Sequence, residues 1–183
     1  GTLRLGIEVL RSAYYGQLHV PLRFGKLSGG NFVMSDTNFN AVVNGGLVAA
    51  SLAYADVYPA ECFDAVSNAI QSLGYMLPGF EPSGGWKEGP NYWDYTTAYL
   101  ANMVSALDTA CGTDYGILNH PGVNLTPYYA IYLDSPQGLN NFSDTAKGVT
   151  WNSPQFSCFA RIMNEPAFTY QRYKAITEKN KAP

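Results

Sequence analysis

The sequence has few charged residues. Asp, Glu, Lys and Arg make up 14% of its 183 residues and leave a formal net charge of −3, whereas soluble domains usually carry about 25% charged residues. A chain with so little positive charge offers no electrostatic surface for nucleic acid, which excludes that class of partner. Its hydrophobic content of 46% is enough for one sizeable core, so we expect a single globular domain or one part of a larger protein.

Residues that commonly bind metals or form disulfides are also scarce. The three cysteines, Cys62, Cys111 and Cys158, show no CxxC spacing, so we expect buried free thiols rather than a zinc site. His19 and His120 are far apart, which supports neither a metal centre nor a Ser-His-Asp triad. We therefore predict no metal and no cofactor.

Long apolar runs are absent as well. No stretch approaches the roughly 18 consecutive apolar residues of a membrane span, and no basic segment followed by an apolar one opens the chain. We expect no membrane association. The chain begins at Gly1 without a methionine, which suggests a piece trimmed from a longer polypeptide.

Prolines divide the sequence into segments. Five of them precede helix-like apolar patterns, and proline is favoured at the first helical position because its missing N–H has no partner there. These are Pro59, Pro90, Pro127, Pro154 and Pro166. Thr126 and Ser153 stand just ahead of two of them as candidate N-caps. The spacing predicts a succession of helices joined by short loops.

The apolar periodicity predicts an all-α fold. Between positions 62 and 77, apolar residues recur at every third or fourth position, which is typical of a helix with one buried stripe. Residues 40–56 are apolar nearly all round, so we expect a helix buried on most sides. Its small residues, which would let neighbouring helices approach closely, are Gly45, Gly46, Ala49 and Ala50. Strand signals are weak, at 31–34 and 131–133, so we expect paired antiparallel helices in layers.

The segment GGWKEGPNYWDYTTAYL, residues 84–100, concentrates aromatic rings and hydroxyls. If a helix starts at Pro90, its three tyrosines share one face, because they recur at spacings of three and four. Trp86 and Glu88 lie in the preceding loop, beside a helix N-terminus whose free N–H groups suit a carboxylate or sulfate. The tyrosines are Tyr92, Tyr95 and Tyr99. Such a surface fits either a carbohydrate site or helix packing with locally satisfied hydroxyls, and both interpretations stay open.

Four ordered segments resemble the heparinase II/III-like family of polysaccharide lyases. They are TNFNAVVNGGLVAASLAYAD at 37–56, GGWKEGPNYWDYTTAYL at 84–100, HPGV at 120–123 and DSPQGLNNFSD at 134–144. Members of that family have an N-terminal α/α toroid of helical hairpins and a C-terminal antiparallel β-sandwich, with the substrate in the cleft between them. The resemblance implies that residues 1–183 form a single α/α-toroid fragment of a larger lyase, an incomplete toroid without the sandwich.

The resemblance also implies a reaction, β-elimination at a uronic acid in an acidic polysaccharide such as a glycosaminoglycan or an alginate-like chain. A neutral side-chain donor offsets the charge of the sugar carboxylate, and a tyrosine transfers the proton. The family's asparagine matches Asn38. Many members have a histidine next, where this chain has Phe39, so proton abstraction lacks its usual imidazole. The catalytic tyrosine matches Tyr92 as first choice and Tyr95 as second.

The resemblance implies further residues that contact the substrate. Asn40 either lines the cleft or caps its helix, and Glu88 either binds substrate or interacts with the helix dipole. His120 either binds substrate or stabilises a turn. The aromatic candidates for substrate binding are Trp86, Trp93 and Tyr99.

Two other functions remain open. A sugar hydrolase needs two carboxylates about 5 to 10 Å apart, and Glu88, Asp94 and Asp36 are candidates. Asp94 is expected to point away from the tyrosine face, which ranks hydrolysis below elimination. A non-catalytic glycan-binding or scaffold unit is compatible with Phe39. The family further implies a periplasmic or secreted enzyme, very low activity of this piece alone, and apolar helix faces that pair with the missing β-sandwich domain or with a second copy of the chain.

Overall fold

The computed structural model describes residues 32–136, 138–145 and 153–179, and these are mostly helical. Six α-helices follow one another: α1 Asn38–Ala53, α2 Pro59–Leu73, α3 Pro90–Cys111, α4 Thr126–Leu133, α5 Gln155–Ile162 and α6 Ala167–Lys179. The predicted all-α class is confirmed. His19 lies outside the described residues.

Short non-helical pieces connect the helices. The 3-10 turns cover Phe32–Met34, Leu77–Phe80 and Val123–Leu125, and a two-residue antiparallel hairpin pairs β1, Asp134–Ser135, with β2, Gly138–Leu139. Neither weak strand signal becomes a strand. The first forms the 3-10 turn at Phe32–Met34, and the second is the last turn of α4, whose helical hydrogen bonding it continues.

All five prolines stand at helix starts, as predicted. Pro59 and Pro90 are the first residues of α2 and α3, and Pro127 is the second residue of α4. Pro154 directly precedes α5, and Pro166 directly precedes α6. The fixed φ of proline and its missing N–H suit these positions, so a local property of the chain sets the helix boundaries.

The capping prediction for Thr126 and Ser153 is wrong. Neither hydroxyl makes a capping hydrogen bond to its own helix. Thr126 donates instead to the Gly84 carbonyl at 2.7 Å, and Ser153 donates to the carboxylate of Asp94. Both side chains therefore tie a helix start to a distant part of the chain.

The first two helices form an antiparallel hairpin. The side chain of Asn40, near the start of α1, donates to the carbonyl of Ser72, near the end of α2, at 2.9 Å. Helix α2 carries a buried apolar stripe, which includes Cys62, Val66 and Ala69. The predicted pairing of antiparallel helices is present here.

Helices α1 and α3 run in the same direction with adjoining N-termini. The backbone N–H of Asn38, at the start of α1, donates to Glu88, two residues before α3. About two turns further along, Gly45 packs on α3 so closely that an added Cβ would lie 2.9 Å from the Tyr99 carbonyl oxygen. The predicted close approach of a neighbouring helix is confirmed at Gly45.

The opposite face of α1 is open. Phe39, Gly46, Ala49 and Ala50 are exposed. These positions recur at spacings of seven and three to four, so they share one side of the helix. The expectation that α1 is buried on most sides is therefore wrong for this face.

The C-terminal helices pack on α3. The indole N–H of Trp93 donates to the hydroxyl of Thr126 in α4 at 2.7 Å, and its ring lies 5.9 Å from that of Phe156 in α5. Phe156 in turn lies 6.5 Å from Phe168 in α6. Helix α3 is thus covered by α1 on one side and by α4 and α5 on another, while α6 packs on α5. In the described part of the chain, no helix combines the length with the apolar character that crossing a bilayer requires.

The three cysteines are free. Cys62 is buried and Cys158 is half-buried, but Cys111 is exposed at the end of α3, which corrects the expectation of three buried thiols. Gly112 follows Cys111 in a left-handed conformation and ends the helix there.

Candidate functional site

The carboxylate of Glu88 joins two helix starts. It accepts the backbone N–H of Asn38 at 2.7 Å, the side-chain Nδ2 of Asn38 at 2.9 Å and the indole N–H of Trp86 at 3.1 Å. Beside it, Lys87 pairs with Asp36. The hydrogen bond and the positive charge of Lys87 hold the pKa of the Asp36 carboxyl below its ordinary value. Three of the predicted site residues thus lie in one hydrogen-bonded cluster.

The local sequence explains why Glu88 reaches α1. Gly89 has a φ of 87°, a conformation that favours glycine, and Pro90 then starts α3. This turn leaves Glu88 beside the first turn of α1, whose own N-cap residue, Thr37, makes no side-chain capping bond. A carboxylate there satisfies an otherwise unpaired N–H and interacts favourably with the helix dipole. The negative charge at the start of α1 is therefore supplied by the protein itself, through Glu88.

The N-terminus of α3 is occupied as well. The backbone N–H of Asn91 donates to the hydroxyl of Thr145 at 3.2 Å. Gly89 lies against the backbone of Phe142 and the hydroxyl of Thr145. The segment 142–145 thus already supplies a partner for one N–H group of this helix start, and the substrate carboxylate or sulfate there stays a prediction.

Trp86 and Trp93, both predicted to contact substrate, are core residues. Their exposed fractions are 1% and 0%. Trp86 packs on Phe80 with ring centroids 4.7 Å apart, and Trp93 is held between α4 and α5. A ring without an open face cannot stack on a sugar, so we exclude both from the candidate site.

Asn40 is fully buried. Its amide nitrogen donates to the carbonyls of Ser35 at 3.0 Å and Ser72 at 2.9 Å, and its carbonyl oxygen accepts from Asn44 at 2.8 Å. It neither lines a cleft nor caps α1, which corrects both roles predicted for it. It ties α1 to α2 and to the turn before α1.

His120 lies in the turn that precedes α4. Its Nδ1 is 3.2 Å from the Pro121 carbonyl oxygen and 3.9 Å from a carboxylate oxygen of Glu81. Among the described residues, it makes no hydrogen bond or ion pair with the cluster around Glu88. These contacts match the turn-stabilising interpretation.

The three tyrosines differ in exposure. Tyr95 is 45% exposed, whereas Tyr92 is half-buried and packs against the core. The rings of Tyr95 and Tyr99 meet edge to face with centroids 5.2 Å apart. Partial removal from water and the neighbouring Tyr99 hydroxyl raise the pKa of Tyr95 above its ordinary value. Because a phenol with an ordinary pKa near 10 is already protonated at neutral pH, Tyr95 carries a proton that it can donate.

A groove of about 480 Å³ opens along the start of α3. Asp94 lines it together with two of the tyrosines. Its Oδ1 accepts from the hydroxyl of Ser153 and from Nε2 of Gln155 at 2.9 Å. The lining residues are Asn91, Tyr92, Asp94, Tyr95, Ala98 and Pro154.

Ser153 and Gln155 carry almost no sequence signal for this role. They lie 59 and 61 residues from Asp94 and meet it only because α5 packs on α3. The sequence signal that could have indicated this role is weak: polar residues flank Pro154, which directly precedes α5.

The Glu88 cluster and the groove are neighbours. Glu88 and Asn91 are three residues apart, so their Cα atoms lie within about 11 Å of one another. Segments 36–38 and 87–94 carry three carboxylates and one ammonium, a formal charge of −2. The described residues that line the groove include no cation. The candidate site is therefore acidic.

The described residues contain no group of three or more His, Cys, Asp or Glu side chains that could hold a metal ion. A scan against protein-family models finds no match for this chain, and a search of curated proteins finds no matching sequence.

Proposed function

We propose that this chain is part of a polysaccharide lyase of the heparinase II/III-like type, which cleaves a uronic-acid-containing polysaccharide by β-elimination. One observation carries the proposal. Glu88 holds Asn38 beside the start of α3, where a tyrosine-lined groove opens. Elimination next to a carboxylate needs a donor that offsets the developing negative charge and a group that transfers the proton. Residues of both types lie here.

In the proposed reaction, the amide of Asn38 donates to the carboxylate of the bound uronic acid. Nδ2 of Asn38 carries two hydrogens; one bonds to Glu88, and in this proposal the second donates to the substrate. Loss of the proton beside the carboxylate forms a carbon–carbon double bond and breaks the glycosidic C–O bond. We assign proton removal to Tyr92. Tyr95 then donates its phenolic proton to the departing glycosidic oxygen.

We place the helices in an (α/α) toroid. The alternating directions of α1, α2 and α3 support this arrangement, as does the open apolar face of α1 around Phe39 and Gly46. In a complete enzyme that face would pack against further hairpins or the β-sandwich. A crystal structure that includes the natural flanking sequence tests this, and a covering element of any other kind would contradict it.

The ultraviolet absorbance of the unsaturated product tests the reaction. The protein, with its natural flanking sequence, is incubated with a panel of uronic-acid polysaccharides. We expect absorbance to rise with at least one of them and the rate to fall by about 10² to 10⁴-fold in Tyr92→Phe. Tyr132→Phe, which changes a ring that is 80% exposed on α4, is the matched control and should keep the rate. No product from any member of the panel would refute the lyase.

A non-catalytic glycan-binding unit is the second candidate, and Phe39 favours it. This exposed ring stands where family members have a histidine, and His120 is engaged with Pro121 and Glu81. Calorimetric binding of a polysaccharide without product would support this function. The hydrolase alternative is disfavoured, because both oxygens of Glu88 already accept hydrogen bonds from Asn38 and Trp86, which hold this carboxylate at the start of α1.

A further inference from the structure

Asp94 is the one charged residue among the described residues that line the groove. Ser153 and Gln155 both bond to its Oδ1, and no described residue donates to Oδ2. The carboxylate is thus fixed in orientation by two side chains from the start of α5. Its second oxygen is left to accept hydrogen bonds from a ligand.

The neighbours of Asp94 suit a sugar ring. Tyr95 offers an exposed aromatic ring with a polar tip, and Asn91 adds an exposed amide that both donates and accepts. Ala98 and Pro154 supply apolar walls. Ligand sites generally combine such walls with a few polar groups that fix orientation, and a pyranose presents both hydroxyls and an apolar ring face.

Charge decides which sugar the groove accepts. A carboxylate or sulfate in the groove would face Asp94, and the described lining has no cation to offset the repulsion. The nearby ammonium of Lys87 is already paired with Asp36. A hydroxyl or an acetamido N–H, in contrast, would donate to Oδ2, which accepts no hydrogen bond from the described residues.

We infer that the groove is a subsite for an uncharged pyranose, so that the substrate alternates a uronic acid with a neutral, unsulfated sugar. The uronic acid part of this inference rests on the lyase function proposed above, whereas the neutral subsite rests on Asp94 and its surroundings. The adjoining positions of Asn38 and the groove fit two consecutive units of one chain. Homopolyuronides and highly sulfated chains are disfavoured substrates.

Binding of three defined polysaccharides to the protein and to Asp94→Asn tests the subsite. Hyaluronan alternates glucuronate with a neutral sugar, polyglucuronate carries a carboxylate on every unit, and heparin is highly sulfated. We expect calorimetry to show hyaluronan preferred by about tenfold or more over the other two, and Asp94→Asn to remove most of that preference. Asparagine keeps an oxygen that can accept from Ser153 and Gln155. Asp56→Asn is the control, because it makes the same charge change at the far end of α1.

The outcomes separate the subsite from the reaction. Equal affinity for all three chains, or a preference that Asp94→Asn leaves unchanged, overturns the subsite, even if unsaturated product forms and the lyase stands. A preference for hyaluronan that Asp94→Asn removes supports the subsite, even if the absence of product refutes the lyase. If Asp94→Asn does not fold, Tyr95→Ala replaces it as the variant. Loss of about tenfold in hyaluronan affinity would then support the subsite, and unchanged affinity would overturn it.

Discussion

Asn38 and Glu88 meet through two hydrogen bonds, of 2.7 and 2.9 Å, although 50 residues separate them in the chain. The backbone bond caps α1, and the side-chain bond fixes the plane of the Asn38 amide. One carboxylate thus stabilises a helix and also sets the direction in which the amide presents its second hydrogen.

Glu88→Gln should lower the free energy of unfolding by about 1 to 3 kcal/mol. The three N–H groups of Asn38 and Trp86 now share two carboxylate oxygens, and glutamine would replace one of these acceptors with an NH₂ donor. Urea denaturation measures the loss. The matched control is Lys87→Gln, which breaks an exposed ion pair with Asp36 and should change stability by less than about 1 kcal/mol. Equal losses in the two variants would contradict the central role of Glu88.

Gly45→Ala and Gly46→Ala should have opposite effects. A Cβ at Gly45 would lie 2.9 Å from the Tyr99 carbonyl oxygen, whereas a Cβ at Gly46 meets nothing within 4 Å. Overpacking typically costs about 1 to 3 kcal/mol and should exceed the gain in helix propensity at Gly45. At Gly46 only the gain of up to about 1 kcal/mol applies. Thermal unfolding of both variants checks the prediction, and stabilisation by Gly45→Ala would show that α1 and α3 are not in this contact.

Thr126→Val should destabilise the fold by about 1 to 3 kcal/mol for each buried group left unpaired. The hydroxyl accepts from the Trp93 indole at 2.7 Å and donates to the Gly84 carbonyl at 2.7 Å, so its loss leaves a donor and an acceptor without a partner. Thr109→Val makes the same chemical change at an exposed position of α3, where the hydroxyl bonds only to the Ser105 carbonyl. Chemical denaturation should show little change for the control. A small effect at Thr126 would indicate that water replaces the hydroxyl there.

Tyr129 should make stability fall at alkaline pH. Burial raises the pKa of its phenol to about 12, whereas an exposed tyrosine titrates near 10. The folded state therefore holds this proton more tightly than the unfolded chain does. Its contribution is complete below about pH 10 and is lost as the pH rises towards about 12, at up to about 1.4 kcal/mol per pH unit.

Tyr129→Phe removes this titration, so its stability should decline less steeply between about pH 10 and 11 than that of the unmodified protein. Tyr132→Phe is the control, because that ring is 80% exposed. Denaturant midpoints measured across this pH range give the slopes. Identical slopes for Tyr129→Phe and the unmodified protein would show that another group accounts for the alkaline loss.

The helix starts could be predicted because proline acts locally. Pro59 and Pro90 impose their φ and their missing N–H wherever they stand, so the sequence alone indicates where α2 and α3 begin. Caps depend on more distant groups. The hydroxyls of Thr126 and Ser153 found partners in other parts of the fold, which local spacing cannot reveal.

In the candidate site, too, local sequence identifies residues, whereas the packing of distant segments sets their contacts. Asn38 and Glu88 could be selected from the resemblance, but their pairing is a product of the packing of α1 beside α3. The number of aromatic rings in 84–100 does not indicate which of them are buried and which are exposed to solvent. Trp93 faces α4 and α5 while Tyr95, two residues later, faces solvent, and only the neighbouring helices make that difference.

The hydrogen bonds that define the site close loops of 50, 59 and 61 residues. Closing loops of that length loses chain entropy before any contact compensates, so such contacts form late in folding, after the helices that frame them. The orientation of Asn38 and of Asp94 is consequently a property of the assembled array. A peptide of residues 84–100 would contain every ring and carboxylate of its segment and none of the geometry that gives them a role.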